Sequence, residues 1–488
     1  MRQFAGRLQF AQGTENQGTN TPTAYPQELT ITPTPASTSL GSADRPLEVA
    51  IIGSGPSGFY AAGALLKADL NVRVSMFEQF PSPFGLVRFG VAPDHAKIRN
   101  VVRIYHQTAQ HDDFRFFGNV SIGRDLNVDD LREHFDAVIF AFGAKSDRKL
   151  NIPGEDLDRS YTATEFCAWY NGHPQYRDHQ FDLAHETAVV IGQGNVAMDV
   201  TRILAKDPDD LATTDIAAHA VEALRESQVR KVYCIGRRGP AQAKFTPKEI
   251  KELGEIDGCD VIVDPADVQL SAESEKSLDL PGHEANKRNM EILREFAQRK
   301  PRGTGKQIIM QFFLSPTEIR GDGGVREVVL EKNRLVGEPG NQWAEGTGET
   351  RTLPCGVFFR SVGYRGVPIP GIPFDQKKGV IPNEDGRIEV GSYVVGWIKR
   401  GPSGLIGTNK KDSEDTVEQL LADVPKMPDE PRQGDEAIAA LLRERGVRFV
   451  TYADWQKIDA AEVERGKAKG KPRENFTRIE EMLAVLDK

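Results

Sequence analysis

Two glycine-spaced turns, and the charged residues placed after each of them, carry the chemistry that can be read from this 488-residue chain. The first turn, EVAIIGSGPSG at 48–58, sets Gly53, Gly55 and Gly58 at G-x-G-x-x-G spacing. At that spacing the glycines serve a tight turn, close approach of backbone to a pyrophosphate, and close packing of helix on strand. A strand pattern, NVRVSMFE, follows and ends in Glu78, 20 residues beyond Gly58. A carboxylate there can accept hydrogen bonds from both ribose hydroxyls of an adenosine; the plainer alternative is an exposed strand-end charge. The second turn, TAVVIGQGNVAMD at 187–199, repeats the pattern with Gly192, Gly194 and Ala197. The strand that should carry its acidic residue, VYCIG, ends instead in Arg237 and Arg238. Guanidinium forks match the oxygens of a ribose 2′-phosphate. The second turn therefore points to NADP(H) rather than NAD(H), unless the pair is simply solvated at the surface.

Both turns need the same scaffold. Val49-Ala50-Ile51-Ile52 is a continuous apolar run, as in a parallel strand buried on both faces. The pattern FYAAGALLKADL opens a helix directly after the first turn, so a phosphate would sit at a helix N-terminus. Residues 206–228 read as an inserted helical excursion that delays VYCIG. The expected fold is α/β with two Rossmann-like dinucleotide-binding domains. A chain that holds two dinucleotides is expected to move electrons between them.

Composition bounds the rest. The length suits two domains, and the 39% hydrophobic and 27% charged content is that of a globular protein. No apolar run reaches the roughly 18 residues of a membrane span. The net charge of −9 argues against nucleic-acid binding. Cys167, Cys234, Cys259 and Cys355 are scattered, which gives neither a metal site nor a redox dithiol and fits a reducing compartment. Residues 1–47, rich in Thr, Pro, Gln and Gly, read as a disordered leader. A cytoplasmic location is expected, with the mitochondrial matrix as the alternative if that leader is a transit peptide.

Four longer strings, PSPFGLVRFGVAPDH (81–95), GQGNVAMD (192–199), GRRGPAQAKFT (236–246) and GWIKRGPSGLIGTNK (396–410), resemble the adrenodoxin reductase family of ferredoxin–NADP+ reductases. The similarity runs from about residue 48 to the C-terminus. It implies a glutathione-reductase-like architecture, with a discontinuous FAD domain (48–146 and 362–488) and an NADP domain (147–361) inserted between. By this resemblance, FAD contacts include Ser57, Glu78, Leu86 and Ile122, with Trp397, Gly404, Leu405 and Ile406 against the isoalloxazine. NADP contacts are Gln193, Gly194, Asn195, Val196, Arg237, Arg238, Glu249 and Gly404. Read without the resemblance, GPSGLIG offers close backbone approach to a flat ring, and Trp397 fits ordinary core packing as well as a ring shield. The resemblance also sets His95 and Glu252 near the reacting rings, influencing hydride transfer from NADPH to the flavin. On its own, Glu252 in PKEIKELGE reads equally as a helix-surface acid.

The implied acceptor is a ferredoxin-type iron–sulfur protein, which is acidic. Basic candidates to meet it are Lys97, Arg99 and Arg103, and Lys287, Arg288 and Arg294 in KRNMEILREFAQRKPRGTGK, a stretch with seven Lys/Arg and two Glu. Solvated helix faces are the ordinary alternative for such runs. A monomer is expected. The competing readings are a glutamate-synthase-like subunit, a flavin monooxygenase, or a non-catalytic nucleotide-sensing protein.

Overall fold

The computed structural model describes residues 39–303, 305–404 and 406–487. Two six-stranded sheets organise them. The first is ordered Arg387–Glu389, Ser392–Val394, Ala137–Phe140, Leu47–Ile52, Val72–Phe77 and Phe114–Phe117, parallel apart from its antiparallel Arg387–Glu389 edge. The second is parallel throughout: Ser160–Thr162, Val357–Arg360, Thr187–Ile191, Lys231–Ile235, Lys306–Gln311 and Cys259–Val263. Strands of the first sheet thus come from both sides of the segment that forms the second. The chain crosses out at Ser146–Asp147 and back at Tyr364–Arg365, and these two crossings pair as an antiparallel ribbon.

Every residue of Leu47–Ile52 is buried, the pattern of a central parallel strand covered on both faces. The helix Pro56–Leu65 covers one face and packs against the helix Ile406–Asp423, where Ser413 Oγ donates to the Ser57 carbonyl at 3.0 Å. That contact fastens the GPSGLIG string to the first turn. Helices Pro208–Ala212 and Ala218–Glu226 form the excursion ahead of Lys231–Ile235.

Order begins earlier than the expected leader boundary. Residues 39–47 were assigned to a disordered leader, but Asn71 N–H donates to Gly41 O at 2.9 Å and Leu47 already lies in a strand. Buried Arg45 forks onto Asp136 at 3.0 and 3.1 Å. A buried ion pair between the chain's start and the core fixes this segment. The remainder of the expected leader, residues 1–38, lies outside the described residues. A three-stranded antiparallel sheet, Leu314–Asp322, Gly324–Val336 and Trp343–Pro354, was not foreseen.

Candidate active site

Both glycine turns open onto one cavity of about 1520 Å³ at the carboxyl ends of the two sheets, the usual ligand position in open α/β folds. Gly53 and Gly192 have φ of +107° and +130°, and a side chain at either would run into backbone of residues 141–142 or Ser361. Gly58 does not line the cavity; its missing side chain lets the helix sit on the Gly53 carbonyl. These three glycines are demanded by the protein itself.

Gly55 and Gly194 differ. Their φ values, −76° and −109°, suit any L-residue. A Cβ built at either meets nothing within 4 Å. Both line the cavity, so an added side chain would project into ligand space. Each is also the N-cap of a helix with no side-chain cap (Pro56–Leu65 and Asn195–Ala205), which leaves free N–H groups and the positive end of the dipole facing the cavity. The donor set thus fits two anionic groups, one per turn.

The strand ends set the sign of what lies further out. Glu78 is held by Ser54 Oγ at 2.6 Å and by the Phe80 N–H at 3.2 Å. Arg237 and Arg238 line the other half of the cavity, and among the described residues neither has a carboxylate within 4 Å. Arg238 donates to the Gln242 carbonyl at 3.2 Å, and burial together with the Arg237 charge lowers its pKa. Two adjacent unpaired guanidiniums in a chain of net charge −9 call for an external anion. The backbone there is pinned by Asn333 Nδ2 on the Arg237 carbonyl at 2.9 Å and by Phe313 N–H on that of Arg238 at 3.1 Å.

The other expected contacts that line the same cavity are Ser57, Leu86, Ile122, Gln193, Asn195, Val196, Glu249, Trp397, Gly404 and Ile406. Leu86 remains 39% exposed, with the cavity as its outlet. Asn195 Oδ1 accepts from Thr246 N–H at 2.9 Å, joining the second turn to the KFT segment. Trp397 stands 5.4 Å, ring to ring, from Tyr364 in the returning strand of the ribbon. Leu405 lies outside the described residues.

His95 and Glu252, far apart in sequence, meet at 2.7 Å (Nε2 to Oε2), and His95 lines the cavity. Around them is a buried charge cluster that was not anticipated. Arg202, 2% exposed, reaches Asp94 at 2.9 and 3.1 Å, Asp199 at 2.7 Å and Glu249 at 3.2 Å. Asp94 comes from the first-sheet half of the chain and Arg202 from a helix after the second turn, so the contact clamps the two halves beside His95. Burial and the Asp199 charge push Glu249 up to about 7. Burial works in the same sense on Asp94 and Glu252, but Arg202 and Lys206 hold Asp94 well below the carboxylate range, and His95 and Arg202 lower Glu252. Oxygen and nitrogen atoms of His95, Glu249 and Glu252 lie close enough to ligate an ion, but the Arg202 guanidinium already supplies a cation there.

Replacing Arg202 with methionine should therefore cost about 3–5 kcal/mol, the scale of a broken buried ion pair. The sign with pH follows from linkage. Without Arg202 the folded acids must take up protons that the unfolded chain has released near neutrality, so stability falls as pH rises. Thermal melts should show a larger deficit at pH 8 than at pH 5; a deficit independent of pH would contradict the assignment.

One basic candidate is corrected. Arg99, expected on a docking surface, turns inward to pair with Asp215 and donates to Asn171 Oδ1 at 2.6 Å. It closes a one-turn helix, Ala96–Arg99, whose last residue faces the interior. Lys287, exposed, and Arg294, half-buried, are paired with Asp279 at 3.1 Å and Glu275 at 2.8 Å. Lys97, Arg103 and Arg288 are exposed, with no carboxylate within 4 Å among the described residues. All four cysteines are buried and free, and burial raises every thiol pKa, to about 12 for Cys234 and Cys355 and about 11 for Cys259.

Comparison with known proteins agrees with this geometry. Residues 47–231 match the family model described as pyridine nucleotide-disulphide oxidoreductase. NADPH-ferredoxin reductase FprA of Mycobacterium leprae is 48% identical over 90% of this chain and 98% of its own length. The chain belongs to the adrenodoxin reductase family. Within that family, mitochondrial NADPH:adrenodoxin oxidoreductase of Bos taurus is 43% identical over 90% of this chain and 92% of its own length. The structure of Mycobacterium tuberculosis FprA in complex with NADPH superimposes with a TM-score of 0.87 at 46% identity, covering 90% of this chain and 99% of that one.

Proposed function

We propose that the chain is an FAD-containing ferredoxin–NADP+ reductase. The observation that carries this is the single cavity with two uncapped glycine turns, one ending in a carboxylate and the other in two unpaired arginines. The chemistry that FAD would supply when bound is acceptance of a hydride from NADPH and one-electron release to an acceptor. The residues do the rest. The first turn, through Gly55 and Ser57, holds the FAD pyrophosphate, and Glu78 takes the adenosine ribose. Leu86, Ile122, Trp397, Gly404 and Ile406 wall the flavin ring and exclude water. Gln193, Gly194, Asn195 and Val196 hold the NADPH pyrophosphate, and Arg237 and Arg238 its 2′-phosphate. The His95–Glu252 hydrogen bond holds the imidazole at the edge of the cavity, with Glu249 and Arg202 fixing that edge.

The acceptor is a ferredoxin-type iron–sulfur protein steered to Lys97, Arg103 and Arg288, with Lys287 and Arg294 on the same helix as Arg288. Steering by exposed charges falls with salt. No helix among the described residues is long and apolar enough to cross a membrane. A cytoplasmic monomer is the accompanying proposal.

Purified protein is expected to be yellow and to reduce ferricyanide with NADPH, and a ferredoxin at a rate that drops with ionic strength. A colourless protein, or one without NADPH–ferricyanide activity, would overturn the reading.

A further inference from the structure

One charged side chain in the cavity has no assigned task. Lys145 follows Ala137–Phe140, the strand next to Leu47–Ile52. Where that strand ends, Ala141 N–H donates to Ile52 O at 2.8 Å, and the backbone of residues 141–142 fills the space a side chain would need at Gly53. The chain then runs through Gly143 and Ala144 to Lys145, which lines the cavity that the first turn opens onto. Among the described residues no carboxylate lies within 4 Å of its ammonium. Enclosure lowers its pKa, and the Glu78 charge, beyond ion-pair reach, only partly offsets that. Its side chain is exposed to the open cavity, so its ammonium is free to meet an anionic ligand there.

The other basic groups nearby are already engaged. Arg400 donates to Asn409 Oδ1 at 2.5 Å and lies 3.7 Å from Asp412. Lys149 pairs with Asp156 at 3.3 Å, and Arg148 donates to the Tyr364 carbonyl at 3.4 Å. Burial pushes His173 down to about 3, so its imidazole is neutral. A dinucleotide pyrophosphate carries two negative charges, and the first turn offers it only N–H groups and the helix dipole. Arg237 and Arg238 supply cations at the second turn, whereas of the basic groups just named with Lys145 only Lys145 and Arg148 have no carboxylate within 4 Å among the described residues, and Arg148 is turned onto the Tyr364 carbonyl.

We infer that Lys145 binds the adenosine-side pyrophosphate of FAD, closing over the phosphates from the side opposite the glycine turn. This inference rests on the FAD assignment proposed above. Its test is the rate at which full-length holoprotein loses FAD on dilution, read as recovered flavin fluorescence, together with the dissociation constant for NADP+. K145M should release FAD about tenfold faster at low salt, the scale of one charge-assisted hydrogen bond. K145R should come back to within about threefold of wild type, and added salt should narrow the K145M difference. NADP+ affinity should be unchanged in both variants, which also reports that they are folded. FAD release from K145M within twofold of wild type, equal loss in K145R, or loss of NADP+ affinity in place of FAD would each overturn the inference. If wild-type protein carries no FAD at all, it is the reductase reading that fails.

Discussion

Alanine at both Arg237 and Arg238 is expected to lower kcat/KM for NADPH by roughly 10²–10³-fold and to leave NADH nearly untouched. A hydrogen bond to a charged group is worth about 1.5–3 kcal/mol, so two would reach 3–6 kcal/mol if fully additive. The exposed position of Arg237 reduces its share, which brings the sum to about 3–4 kcal/mol at 1.4 kcal/mol per tenfold. Arg238, half-buried and braced on the Gln242 carbonyl, should be the more costly single change. The loss should appear in KM rather than kcat, because the 2′-phosphate is remote from the reacting ring and is gripped equally in ground and transition states. High salt should weaken NADPH binding to wild type more than to the double variant. Steady-state kinetics with both cofactors at two ionic strengths check this. Equal losses for NADPH and NADH would mean that the pair does not read the phosphate.

What could be read in the sequence was local. A turn, its helix and the residue ending the next strand lie within a few tens of positions, so spacing alone fixed Gly53, Gly55, Glu78, Gly192, Gly194 and the arginine pair. What escaped was brought together from a distance. Spacing near His95 does not announce Glu252, which only the resemblance set beside it, and Asp94 finds Arg202 108 positions away only in the folded chain. A signal existed all the same: Asp199 and Arg202 stand three apart inside the apolar helix Asn195–Ala205, and buried charges in such a helix need partners. Arg99 was misread because a cation in a short helix looks solvated until the turn is oriented. The Trp343–Pro354 strand was missed because it is exposed along nearly its whole length and so shows no apolar alternation. The early start of order was missed because a Thr/Pro-rich leader hides Arg45, whose partner Asp136 lies 91 positions away.

The pair Gly55→Val and Gly194→Val separates the two dinucleotides with larger effects than any change of charge. Neither substitution should unfold the protein. Both positions have ordinary φ, and a Cβ at either meets no protein atom within 4 Å. Each valine instead fills the space a pyrophosphate needs against the helix N-terminus, where approach within hydrogen-bond distance is the source of the affinity. Gly55→Val should therefore yield a colourless protein, with far-UV circular dichroism close to wild type, that still binds NADP+. Gly194→Val should stay yellow and keep its flavin absorbance, but NADPH should no longer bleach it, while dithionite still does. Gly58→Ala supplies the contrast. Its Cβ would meet the Gly53 carbonyl inside the protein, so it should lower the melting temperature as well as flavin content. Absorbance spectra, NADP+ titrations and thermal melts on the three variants decide the matter. If Gly55→Val kept its flavin, or if Gly194→Val were still reduced by NADPH, the glycines would be serving the fold rather than the ligand, and the one-turn-per-dinucleotide reading would fall.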